Sequence, residues 1–183
     1  MQNYPDVAGS SINIKRFIFA KETKHPKLST QRIYHLSLII PPVASSEKFD
    51  AKNAPKPVGL YPHARRVGNL IFLSGIGPRD PETDGVPGLQ RSAAGNFTEF
   101  DFEAQVHSVF RNVRAVLEAS GARWEDLVDV TVFLTDMERD FHTFNRIYAE
   151  YFKENQPCRT TVGIDRLPTP IAIELKCVAI MPG

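Results

Sequence analysis

The 183-residue sequence predicts an α+β fold in which a sheet carries two amphipathic helices on one face, and three observations lead there. Apolar residues recur at three- and four-residue steps through Phe102, Val106, Val109, Phe110, Val113, Val116 and Leu117, then again through Phe141, Phe144, Tyr148, Tyr151 and Phe152. Each of these stretches follows a short strand-like run, NLIFLSG (69–75) or VDVTVFLT (128–135). The last run, IAIELKCVAI (171–180), is apolar at both parities, so both of its faces should be covered, one by the helices and the other by another subunit.

The elements follow in order. Residues 1–53 carry eight Lys or Arg and four Asp or Glu, net +4, whereas residues 54–183 carry fourteen and seventeen, net −3, and this shift marks a boundary. The segment IIPPVASSEKFDAKNAPKP (39–57) reads as a linker or extended arm, because its prolines remove donors and disfavour helix before them. Upstream, INIKRFIFA (12–20) and RIYHLSLII (32–40) read as short strands, a targeting piece or a disordered extension. The regular pattern starts at Gly59. DPETDGVPG (80–88) supplies turn residues after the first strand. Thr98 and Asp101 are both suitable starts for the first helix, and Gly121 can close it in a left-handed cap. The second helix runs up to Pro157, and two final strands flank the Leu-Pro-Thr-Pro turn at 167–170.

Composition narrows the function classes. An apolar fraction of 42% with 23% charged residues is that of an ordinary soluble protein, and a formal charge of +1 gives no reason to expect nucleic acid or an anionic membrane as partner. There is no basic stripe with interleaved aromatics. Cys158 and Cys177 lack the spacing of a zinc site or a disulfide scaffold, and His107 and His142 lack a second ligand at i+4, so no metal site is expected. A small-molecule ligand fits this balance best.

Two charges stand out in the final strands. Glu174 shares a strand face with Ala172, Val178 and Ile180, so it lies at the margin of a buried surface. A carboxylate there is either a structural ion pair or a group of raised pKa able to take a proton in a cleft. Arg159 opens the penultimate strand, where its planar fork can bind a carboxylate through two parallel hydrogen bonds or form a surface salt bridge. If the two strands pair through the 167–170 turn, Arg159 and Glu174 come to one neighbourhood or stay a strand's length apart, depending on register.

Ser74-Gly75, FNRIYAEYF (144–152), P-x-R-T-T-V (157–162), Leu167-Pro168 and IELKCVAI (173–180) together resemble the RidA/YjgF/YER057c/UK114 family, over about residues 57–183. The resemblance implies a chorismate-mutase-like fold, a homotrimer whose sheets form a central barrel, and clefts between subunits. It also implies hydrolytic deamination of enamines and their imine tautomers without metal or organic cofactor. In that chemistry Arg159 holds the substrate carboxylate, and Glu174 activates the attacking water and helps ammonia leave. Tyr61, Ser74, Asn145 and the Thr161 backbone are expected to line the same cleft, with Tyr61 from one subunit and Arg159 from its neighbour. Where many members carry Ala-Cys or similar after the arginine, this chain has Thr160-Thr161.

KPVGLYPHARRVGNLIFLSGIGPRDP (56–81), with RTTV and IELKCVA, is similar to the 2-aminomuconate deaminase branch, which releases ammonia and 4-oxalocrotonate. A substrate with carboxylates at both ends needs a second cation, and Arg79 and His63 lead the candidates, ahead of Arg65 and Arg66. Taken singly, these arginines can equally be solvated rim charges. Two other functions are compatible with the residues: a general deaminase of 2-aminoacrylate, and a non-enzymatic trimer that binds small metabolites. A cytoplasmic location is expected, or a mitochondrial one if residues 1–53 act in targeting.

Overall fold

The computed structural model describes residues 46–94 and 97–181. Its elements in chain order are β1 (Ser46–Phe49), β2 (Ala64–Val67), β3 (Leu70–Leu73), β4 (Gln90–Arg91), β5 (Phe97–Glu99), α1 (Phe102–Ala119), β6 (Leu127–Leu134), α2 (Met137–Tyr151), β7 (Cys158–Gly163) and β8 (Ile173–Ile180), with a 3-10 turn at Trp124–Asp126. Six strands form one sheet in the order β1-β2-β3-β8-β6-β7, while β4 and β5 pair separately. The stretches 12–20 and 32–40 lie outside the described residues.

The α+β architecture with two helices on one face is the one expected. Asp101 caps α1, its carboxylate accepting from the Ala104 N–H at 2.9 Å. Thr98 instead lies in β5. Gly121 adopts φ +78°, the Gly121 N–H reaches the Glu118 carbonyl and the Ala122 N–H reaches that of Leu117. This pair of bonds is a Schellman closure of α1. The apolar stripe of α1 packs with Phe144 and Ile147 of α2 onto Ile71, Leu73, Val130, Val132, Leu134, Ile173, Leu175, Cys177 and Ala179, all buried. Phe110 meets Trp124, Phe144, Tyr148, Tyr151 and Phe152 ring to ring.

Two differences from the expected layout matter for the site. Ser46–Phe49, within the stretch read as linker or arm, is an edge strand antiparallel to β2, and Ala51 and Ala54 are buried, so the folded unit begins upstream of residue 54. The final two strands do not form a hairpin: β6 inserts between them, antiparallel to β8 and parallel to β7. The crossover through α2 accounts for the parallel pair. The second face of the sheet bears Phe72, Phe133, Glu174, Lys176, Val178 and Ile180, of which Phe72 and Ile180 are 39% and 41% exposed.

Candidate active site

Register decides which side chains can meet. Arg159 aligns with Val130 and, through it, with Cys177, both fully buried on the helix side. Its guanidinium accordingly stacks over Tyr148 at 4.6 Å and lies 5.7 Å from the ring of Phe144 on α2. Glu174 aligns with Phe133 and Val162, between the inward Ile173 and Leu175, and therefore stands on the opposite, helix-free face. Two strand spacings and a three-residue offset put the two Cα atoms roughly 14 Å apart. Within one copy the two charged groups therefore lie apart, each in its own cluster.

The first cluster surrounds Glu174. β8 continues onto the segment after β3 through reciprocal Ile76–Leu175 backbone bonds of 2.8 and 2.9 Å. Gly75 then lies so close to the carboxylate that a Cβ built on it would be 2.3 Å from Glu174 Oε1. A larger residue there would push the carboxylate out of this position. Burial pushes the Glu174 carboxyl above its ordinary value, with no cation among the described residues offsetting it.

Gly75 also lines a small cleft with Pro55, Pro57, Tyr61, His63, Ser74, Ile76, Gly77 and Arg79. Tyr61 is 42% exposed, and Ser74 ties the wall together by donating its hydroxyl to the Pro62 carbonyl at 2.7 Å and its N–H to that of His63.

The second cluster surrounds Arg159. Thr161 follows on the same face, aligned with Val132 and Leu175, and Asn145 is half-buried on α2 beside Phe144. The hydroxyls of Tyr148 and Thr161 are buried without a hydrogen-bond partner among the described residues. Burial pushes the Tyr148 hydroxyl up to about 12 despite the nearby Arg159 charge. Buried polar atoms normally find partners, so this side presents donors and a cation in want of a ligand or a facing surface.

The two leading candidates for a second cation, His63 and Arg79, already have partners. His63 Nδ1 accepts from the Ala51 N–H at 3.1 Å, leaving Nε2 to donate to the Pro55 carbonyl at 2.9 Å, so its ring holds the cleft wall. Arg79 lines the cleft, but its guanidinium pairs with Asp84 and donates to the Lys56 carbonyl. Arg65 and Arg66 on β2 bond Ser46 Oγ and the Gly68 carbonyl. Tyr61 and Ser74 thus line one cleft with Gly75, against which Glu174 rests, whereas Arg159 and Thr161 share the helix-side face and Asn145 lies on α2. Sequence reasoning passed over Tyr148 as a partner of Arg159, although its place in the aromatic repeat of α2 was visible.

Both the sequence and the fold match known proteins. The family model described as Endoribonuclease L-PSP matches residues 51–181. A RutC family protein of Pyrococcus horikoshii is 40% identical over 73% of this chain and 96% of its own length. The 2-iminobutanoate/2-iminopropanoate deaminase of Escherichia coli is 34% identical over 74% of this chain and 98% of its own. Among solved structures, RidA from the Antarctic bacterium Psychrobacter superposes with a TM-score of 0.64 at 30% identity, covering 74% of this chain and 99% of that one.

Proposed function

The chain belongs to the RidA/YjgF/L-PSP family, and on that premise we propose that it is a hydrolytic deaminase of 2-imino acids and their enamine tautomers, acting without metal or organic cofactor at clefts between copies of itself. One observation carries the reading. The carboxylate suited to proton transfer and the guanidinium suited to carboxylate binding stand on opposite faces of one sheet, so a cleft using both is built from two copies. The uncovered apolar face with Phe72, Phe133, Val178 and Ile180 supports such an assembly, and the state implied by the resemblance is a homotrimer.

The chemistry follows from the two clusters. Arg159 grips the α-carboxylate of the imine in a bidentate pair and so fixes C2. Glu174, a base of raised pKa, takes a proton from water as its oxygen bonds to C2 and the C=N electron pair moves onto nitrogen. Glu174 returns that proton to nitrogen, giving a neutral carbinolamine; it then takes the hydroxyl proton as C2=O forms and passes it to the departing nitrogen as the C–N bond breaks, so that ammonia and a 2-oxo acid leave. Tyr61 and Ser74 shape the wall beside the reacting carbon.

Substrates with one carboxylate suit this site best. The narrower reading, 2-aminomuconate, requires Arg79 to exchange Asp84 and the Lys56 carbonyl for a second substrate carboxylate. The test is release of ammonia from freshly generated 2-iminopropanoate, 2-iminobutanoate and 2-aminomuconate by wild type, Arg159→Ala and Arg79→Ala. Turnover of the 2-imino monoacids, lost in Arg159→Ala, supports the reading. Preference for the dicarboxylate, weakened selectively by Arg79→Ala, moves the assignment to the narrower reaction, and no turnover of any of them overturns it.

A further inference from the structure

We infer that a buried polar stripe on α1, formed by Gln105, Ser108 and Asn112, is the positioning device of the cleft, with Asn112 its principal member; the inference rests on the deaminase reading of that cleft. These residues recur at i, i+3 and i+7, so they share one helix face, and all three are at most 3% exposed. They sit inside the same helix surface as Val106, Val109 and Val113, where apolar side chains would fill the core without hydrogen-bonding demands.

What the stripe holds explains its presence. The two amide hydrogens of Asn112 go to the carbonyls of Gly77 at 2.9 Å and Arg79 at 2.8 Å, and the Ser108 hydroxyl donates to the Pro78 carbonyl between them at 2.8 Å. Three consecutive carbonyls outside any strand are thus satisfied from one helix face. The amide orientation of Asn112 is dictated, since a reversed amide would set its oxygen against two carbonyl oxygens. One turn earlier, Gln105 Oε1 accepts from the Ala172 N–H at 2.9 Å, two residues before Glu174.

The gripped segment is the cleft wall. Gly77 and Arg79 line it, Ile76 is bonded to β8 beside Glu174, and Gly75 is the surface on which the carboxylate rests. Asn112 also fixes the backbone from which Arg79 reaches the Lys56 carbonyl, between the wall residues Pro55 and Pro57. The helix therefore sets the distance between the acid-bearing strand and the wall facing it, although none of its three polar residues enters the cleft.

The test compares Asn112→Leu, which keeps the size and removes both donors, with wild type by steady-state kinetics on 2-iminopropanoate and by amide hydrogen exchange. Misplacement of a catalytic wall should lower kcat about tenfold to a hundredfold. KM should hold within about twofold, because Arg159 and its neighbours are untouched. Exchange at Ile76–Arg79 should quicken relative to the amides of β6. If Asn112→Leu does not fold, Ser108→Ala reads the same loss in milder form, and Ser108→Thr should restore it. A fall in thermal stability with kcat and the relative exchange of Ile76–Arg79 both unchanged would overturn the inference, leaving an ordinary buried polar stripe. If wild type hydrolyses no imine, the deaminase reading fails separately, and the exchange comparison still decides whether the stripe holds the wall.

Discussion

Glu174 and Gly75 are fitted to each other so closely that the carboxylate oxygen occupies the space a Cβ on residue 75 would need, 2.3 Å away. The relationship couples two segments distant in the chain and places an acid of raised pKa against bare backbone. Gly75 has no positive φ, so the constraint is one of contact and not of backbone conformation.

Gly75→Ala should therefore displace the carboxylate without breaking the fold. We expect a loss in kcat of about tenfold or more for 2-imino acids, since small shifts of a positioned base are costly. In a Glu174→Gln background the same substitution should add little, and a double-mutant cycle measures that coupling. Additive losses would show that Gly75 acts through something other than the acid.

The pH dependence has a defined sign. Activity needs ionised Glu174, so kcat/KM should fall as pH drops, with an acid limb above the ordinary glutamate pKa of about 4.3. The stability contribution runs the other way. A carboxyl whose folded pKa exceeds its unfolded value holds its proton more tightly when folded, so its contribution is present at low pH and lost as pH rises through that window. Glu174→Gln should abolish the limb, lower kcat about a hundredfold or more, and leave thermal stability at neutral pH equal or higher. A lowered melting temperature there would mark Glu174 as a structural ion-pair partner.

Arg159 rests on an aromatic floor. Tyr148→Leu removes the ring 4.6 Å beneath the guanidinium and should raise KM about two- to fivefold, the size of a partly exposed cation–π contact. Tyr148→Phe keeps the ring and should keep KM near wild type if the hydroxyl does not touch substrate. Equal KM in Tyr148→Leu and wild type would rule out the floor.

The two helices and the sheet lock through Phe110, which is 1% exposed and meets five other aromatic rings. Phe110→Ala should cost about 3–5 kcal/mol in denaturant unfolding. A cost below about 1 kcal/mol would mean that the cluster collapses into the gap.

Much of this was legible in the chain because period and punctuation are local. The three- and four-residue spacing of Phe102–Leu117 and Phe141–Phe152 revealed both helices, Gly121 revealed the end of the first, and the double parity of 171–180 revealed a strand with a second face to cover. The pairing of β7 was not legible, because register and strand order are set by non-local contacts and a Leu-Pro-Thr-Pro turn is equally compatible with a hairpin. Ser46–Phe49 reads as part of a linker or extended arm since an edge strand needs little apolar character. His63 and Arg79 look free in sequence, whereas their partners, Ala51, Pro55, Lys56 and Asp84, include backbone groups that no side-chain pattern announces. Gln105, Ser108 and Asn112 did leave a signal, three polar residues inside an apolar helical stripe, but their targets appear only in the fold.

The most direct test of the two-copy site mixes inactive variants. Arg159→Ala and Glu174→Ala are each inactive by this account, and co-refolding them at equal ratio should restore activity at about a quarter of the clefts, those pairing an intact Arg159 with an intact Glu174 from another copy. Recovery to about that level, scaling with the mixing ratio, is the predicted result. Activity that stays at the level of the single variants, in assemblies verified to contain both chains, would contradict a cleft shared between copies.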